Sequence, residues 1–284
     1  MAWGAAVAFG LSAGVLWHAL RQGEKGQFRL GSALLTLGGI LALGYMTWVS
    51  VRVGAFPIIT PWIGASFLSL LLAFFAVVAW MRYREPAFLA GAAPLATLFA
   101  CIASLRPVQA EDLEVLANRL SAIRPDFPGI GKVILTSTWF PVHVTLAMSA
   151  YALFALAAAM GILQLSLQKQ LKAKKGGKPL LFLPPLPVVE HAGILAAFTG
   201  IVLLLIALVL GGAGAWVYLR THLLGDPKEI SGAAVFTLYA GIEVLRMLQG
   251  WSGRRTALAH VGAFVILISI FLGSSILGPK AHGN

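Results

Sequence analysis

Eight apolar runs, each roughly long enough to cross about 30 Å of hydrocarbon, constrain this chain more than any other feature of it. They lie near Ala2–Leu20, Leu30–Val53, Pro61–Met81, Pro86–Leu105, Phe140–Leu167, Val188–Leu219, Ile230–Leu248 and Thr256–Leu277. In a bilayer the peptide N–H and C=O groups must find partners within the protein, and runs of this length do so as helices. The expected fold is therefore all-α, a polytopic transmembrane helix bundle of about eight spans. Composition agrees: charged residues are 11% and hydrophobic residues 59% of the chain, against about 25% charged in a soluble domain. The first run is not read as a signal peptide, because basic residues follow it rather than precede it.

Charge orients the bundle. One set of loops and span ends holds Arg21, Lys25, Arg29, Arg82, Arg84, Lys169, Lys172, Lys174, Lys175, Lys178, Arg246, Arg254 and Arg255, which is 13 of the 21 basic residues. The alternate side holds the rest, together with most of the acids. The positive-inside rule puts the larger set in the cytoplasm and both termini outside. The net charge of +11 is thus a matter of topology and lipid headgroups, not of nucleic acid. The lone Cys101 has no C-x-x-C partner and no C-x-x-C-H haem-attachment motif around it, which excludes a thiol carrier and a c-type cytochrome.

Two loops exceed a simple turn. Outside, Leu113, Leu116 and Leu120 have helical spacing within Glu111–Leu120, so a short amphipathic helix is expected, ended by the turn Pro125–Gly129. Inside, Lys172–Lys178 reads as a mobile basic linker that anchors topology on anionic lipid, followed by re-entry at Pro184, Pro185 and Pro187.

The ionisable residues inside or beside spans are the functional candidates, because they cost free energy there unless paired or used. Glu243 lies about 10 Å up its helix from Gly250. Arg246, one turn away, and His260, at similar depth on the last span, are its candidate partners. His143 opens the fifth span within Trp139-Phe140-Pro141-Val142-His143, and His282 lies past the outer end of the eighth. Two neutral imidazoles on one face can ligate a haem iron from both sides.

The last half of the chain reads, in order, Trp139 and His143, Glu190 opening a span, Gly214-Ala215-Trp216, Asp226-Pro227-Lys228-Glu229, Gly250-Trp251-Ser252-Gly253-Arg254-Arg255, and His282. This order resembles the cytochrome c assembly family of haem-handling membrane proteins (the CcsA, ResC and HemX-like group). Gly54-Ala55-Phe56-Pro57 is similar to an earlier family G-H-F-P run. The resemblance implies an N-terminal four-span region with the outer amphipathic loop (1–138) and an assembly-like four-span core (139–284). It implies haem b, held transiently at the outer face, with His143 and His282 as axial ligands of the haem iron and Trp216 and Asp226 beside them.

Further implications are a partner bearing a large periplasmic domain (ResB/CcsB-like), an apocytochrome c, and surrounding membrane lipid. The membrane would be the cytoplasmic (inner) one or its organellar equivalent, and the chain a component of a haem-ligation (synthase) complex rather than a stand-alone enzyme. Two departures from the family pattern stand out. Leu223, Leu224 and Gly225 replace most of the tryptophan-rich loop, and the family's intramembrane His falls near Val244. A second reading follows from them: a non-catalytic membrane subunit or regulator of a respiratory or haem-related complex that kept the fold and lost haem. A small-solute transporter is less well supported, since no span is broken at mid-membrane by a Gly-Pro pair.

Overall fold

The computed structural model describes residues 2–22, 25–54, 56, 60–106, 110–123, 129–172, 184–219 and 227–276. Among these described residues the chain is helical and has no strand. Its helices are α1 (Ala2–Gln22), α2 (Lys25–Val53), α3 (Pro61–Tyr83), α4 (Ala87–Ser104), α5 (Ala110–Ile123), α6 (Ile130–Thr136), α7 (Trp139–Lys172), α8 (Leu186–Gly214), α9 (Pro227–Gln249) and α10 (Arg254–Ile276). A five-residue π turn, Ala215–Leu219, prolongs α8.

Seven stretches are long and apolar enough to cross a membrane: Ala2–Leu20, Gly26–Arg52, Pro61–Tyr83, Ala87–Ser104, Trp139–Lys172, Leu186–Tyr218 and Ile230–Gln249. They coincide with the first seven expected runs. The 23 residues of α10 occupy the stretch expected to form the eighth, and at about 1.5 Å per residue that length also matches the hydrocarbon thickness. The chain is an integral membrane protein.

Local chemistry sets several helix ends. At the start of α3 the Thr60 side chain accepts a hydrogen bond from the Ile63 N–H at 3.4 Å, and Pro61 supplies the preset φ of the first helical residue. The helix stops at Arg84, which turns left-handed at φ 60 and donates its N–H to the Trp80 carbonyl. Pro185 caps α8, as the Pro-rich re-entry suggests. The basic linker beyond Lys172 and the Arg124–Pro128 part of the turn expected after the amphipathic helix lie outside the described residues.

The amphipathic helix expected in the loop after the fourth span forms as α5, tied to the end of α4 by an Arg106–Asp112 ion pair at 3.0 Å. A second short helix, α6, was not expected. It starts at Gly129 (φ 90) and buries Ile130, Ile134 and Leu135. With only seven residues it is too short to show a helical period, and the preceding Pro and Gly make the stretch read as loop.

The bundle is built around α7. Buried positions make up 78% of its apolar window, against 22% for α9, so α7 is the axis and α9 lies at the lipid-facing margin. Helices α3, α4, α8 and α10 all pack on α7. Ala150, Ala152, Ala155, Ala157 and Ala158 are buried along it. Such small side chains let backbones approach closely, which matters where lipid tails remove the hydrophobic drive between helices. One continuous buried cluster runs from Phe9 and Phe88 in the first four helices to Phe154 and Tyr239 in the last four.

Two ends of this core can be distinguished. At one, Glu190 Oε1 accepts the Gly253 N–H at 2.6 Å and Oε2 accepts from Gln164 Nε2 at 3.2 Å, so the end of α7, the start of α8 and the α9–α10 turn meet. That turn is closed by Gly250 and Gly253 at φ 62 and 59, a conformation that strains any residue with a Cβ. At the other end, the start of α7, the end of α8 and the start of α9 converge.

Candidate functional site

His143 stands one turn after Trp139, and the four-residue spacing puts both on the face of α7 that meets α8. Trp139 Nε1 donates to the Leu210 carbonyl at 2.8 Å, and His143 Nδ1 donates to the Ala207 carbonyl at 2.8 Å. The two rings lie nearly parallel, 10° apart with centroids at 5.7 Å. Tyr218, in the π turn, tilts against Trp139 at 5.6 Å, so the indole packs against both an imidazole and a phenol. π turns inside helices frequently mark functional sites.

Glycine makes this seating possible. A Cβ on Gly214 would stand 1.8 Å from Trp139 Cζ2, and one on Gly211 would stand 2.7 Å from His143 Cε1. Real side chains never approach that closely. Three residues apart on α8, the two glycines form a trough into which the aromatic pair settles.

The Ala207 contact also decides the chemistry of the imidazole. A carbonyl only accepts, so Nδ1 carries the proton and Nε2 keeps its lone pair. A ring oriented by a Nδ1–H to carbonyl bond, with Nε2 left as the base, is the arrangement seen in metal-ligating histidines. Beside it, the small residues Ala147, Ala207, Gly211 and Gly232 leave a cavity of about 160 Å³ between His143 and Tyr151. Sites that enclose a whole drug-sized ligand run to about 300–1,000 Å³. This cavity therefore takes a small group or one edge of a larger planar molecule.

Of the residues that the sequence points to, His143 and Trp216 are described here. Trp216 is 53% exposed on the π turn, and the aromatic stacked on His143 is Trp139. His282 and Asp226 lie outside the described residues, and so does the pairing of His143 with His282. Trp139, Tyr218, Gly211 and Gly214 were missed as site residues. Their available signals were the four-residue step from Trp139 to His143 and the three-residue step between the glycines, neither of which identifies a partner helix.

A second polar cluster forms toward the opposite end. Glu243 is 4% exposed; its Oε2 meets Arg246 Nε at 2.6 Å and its Oε1 meets His260 Nε2 at 2.9 Å. Both expected partners are engaged at once. The carboxylate thus has one donor per oxygen in a setting where an unpaired charge would be costly.

Comparison with known proteins adds an independent line. A family model described as Cytochrome C assembly protein matches residues 42–282, beginning in α2, well ahead of Trp139. Protein HemX of Bacillus subtilis (strain 168) is 30% identical over 143 residues, a match spanning 50% of this chain and 52% of HemX. The cytochrome c biogenesis protein CcsA of Prochlorococcus marinus (strain AS9601) is 26% identical over 254 residues, 81% of this chain and 76% of that protein. CcsA of Synechococcus sp. (strain RCC307) is 23% identical over 287 residues, 94% of this chain and 88% of its own length. No solved structure matches the chain.

Proposed function

The chain belongs to the cytochrome c assembly family, and on that premise we propose that it acts in maturing c-type cytochromes by holding haem, as cargo, where α7 begins and α8 ends. The observation that carries this reading is the Nδ1–H bond from His143 to Ala207, which leaves Nε2 as a ligand nitrogen. His282 is the proposed second axial base, with Trp216 and Asp226 beside the site. Two imidazoles on one iron each need a nitrogen within about 2 Å of it, and such axial ligands tune its redox potential. The cavity next to His143 suits one edge of the macrocycle, so the vinyl groups used in thioether formation stay open to a C-x-x-C-H apocytochrome. A partner with a large outer domain would present that apocytochrome.

In this reading residues 139–284 form the working core and residues 1–138 support it. The site faces the outside of the cytoplasmic membrane, because the basic residues gather at the Glu190 end. Reporter fusions after Lys175 are therefore expected to signal cytoplasm, and fusions near Asp126 or at Asn284 to signal the outside. An outside signal at Lys175 would place His143 on the wrong face for cytochrome maturation.

Two observations favour the alternative of a non-catalytic membrane subunit or regulator: the cavity is small, and Leu223, Leu224 and Val244 stand where the family resemblance expects aromatics and a histidine. An absorbance spectrum separates the two readings. Protein purified from haem-replete cells is expected to show a Soret band that is lost or shifted in His143→Ala and in His282→Ala and partly restored by imidazole. No Soret band in the parent protein, with normal cytochrome maturation by both variants, would leave the regulator reading.

A further inference from the structure

The cavity beside His143 has a second polar end. His143, Ala147 and Tyr151 follow one another at four-residue steps down α7, and all three line it. Facing them are α8 and, from α9, Gly232. The Tyr151 ring packs against the buried core, while its hydroxyl reaches the cavity beside Gly232. A Cβ on Gly232 would stand 3.9 Å from Tyr151 Oη and 3.3 Å from Leu208 Cδ2. The hydroxyl has no hydrogen-bond partner among the described residues. It belongs to a span, and in hydrocarbon an unpaired polar group is costly. A polar side chain kept there marks a place where something is bound.

Resting on the haem reading above, we infer that Tyr151 is a binding residue of the same site, its hydroxyl taking a propionate carboxyl of the haem whose iron His143 holds. Of the groups on the rim of protohaem, the methyls and vinyls form no hydrogen bond and the two propionates do, so an unpartnered hydroxyl selects the propionate edge. The propionates lie on the side of the macrocycle away from the vinyls. With that edge against Tyr151, the vinyls point out of the cavity toward the apocytochrome of the proposed function. Eight residues separate Tyr151 from His143, about 12 Å of helix at 1.5 Å per residue. That spacing suits a ligand reaching from a central iron to a side arm on its rim.

No lysine or arginine is among the residues lining the cavity. A bare carboxylate would be costly there, so the propionate enters as the neutral acid. Its C=O accepts from the phenol, and the phenol oxygen can accept from its O–H. Gly232 gives this edge its room, because a side chain at that position would meet both Leu208 and the Tyr151 hydroxyl.

The test is a Soret titration of the full chain in lipid nanodiscs with two ferric haems: protohaem, and octaethylhaem, whose rim carries ethyl groups and no carboxyl. Tyr151→Phe keeps the ring and removes only the hydroxyl. It is expected to weaken protohaem binding about two- to tenfold, the worth of one net hydrogen bond, and to leave octaethylhaem binding unchanged. Gly232→Val keeps both polar groups but narrows the cavity, and is expected to weaken both haems alike. Equal protohaem affinity in Tyr151→Phe and the parent, or an equal loss for both haems in that variant, would overturn this inference and leave the haem reading standing. So would unchanged binding of both haems in Gly232→Val. Uptake of neither haem by the parent would overturn the proposed function, and this inference with it.

Discussion

Gly214→Ala is expected to destabilise the protein by about 1–3 kcal/mol or more, an effect out of proportion to one added methyl. The methyl would stand 1.8 Å from the Trp139 ring. That ring cannot swing aside freely, because its Nε1 is bonded to Leu210 and it packs against His143 and Tyr218. Either the indole leaves the trough or α7 and α8 separate at this end. In both cases His143 loses its stacked neighbour, so the Soret band expected under the proposed function should fall together with stability. In a Trp139→Ala background the same methyl meets no ring and is expected to be nearly harmless. The two sites should therefore be non-additive by about 0.5–3 kcal/mol, as residues in direct contact are. Thermal melts of the two single variants and the double variant in detergent supply the comparison. Equal cost in both backgrounds would mean that Trp139 does not occupy the Gly214 trough.

Removing Arg246 is expected to be the most damaging change within the Glu243 cluster. Arg246→Ala leaves a buried carboxylate that must either draw a proton onto itself or His260 or remain uncompensated, and breaking a buried pair in this way costs about 3–5 kcal/mol. His260→Ala should be milder, because Arg246 still neutralises Glu243 at 2.6 Å and what is lost is one hydrogen bond and the packing of the ring. Glu243→Gln should be the mildest. It removes the charge that needed balancing, and Arg246, with 21% of its side chain exposed, can carry its guanidinium toward water. The ranking is read from the yield of monodisperse protein and from melting temperature. Equal stability of the three variants would mean that Glu243 is hydrated and not held by the pair.

Some of this cluster was legible in the chain. A carboxylate in an apolar span demands a cation, the four-residue neighbourhood on one helix offers few, and Arg246 is the nearest. His260 followed from depth alone, because a tight turn makes positions equally far from Gly250–Gly253 lie opposite one another. The site around His143 was legible only in part. Its histidine stood out by position, but its nearest aromatic neighbour was not read as part of the site: the resemblance puts Trp216 there, whereas Trp139 is the ring stacked on His143. Helix α6 was invisible because seven residues cannot display a period of 3.6.

The amino-acid sequence by itself determined the membrane class, the places of the spans and the family. Each depends on the amount and order of apolar and charged residues along the chain, and a bilayer converts a long apolar run directly into a helix. Only the tertiary structure decided which faces of those helices touch. That choice rests on interhelical register, where Gly211 and Gly214 admit His143 and Trp139, Ala207 selects the imidazole tautomer, and Glu190 reaches Gly253 across 63 positions of chain. In lipid every apolar face is equally content with hydrocarbon, so hydropathy leaves the register open. Close packing at glycine and alanine, together with a few hydrogen bonds between helices, settles it.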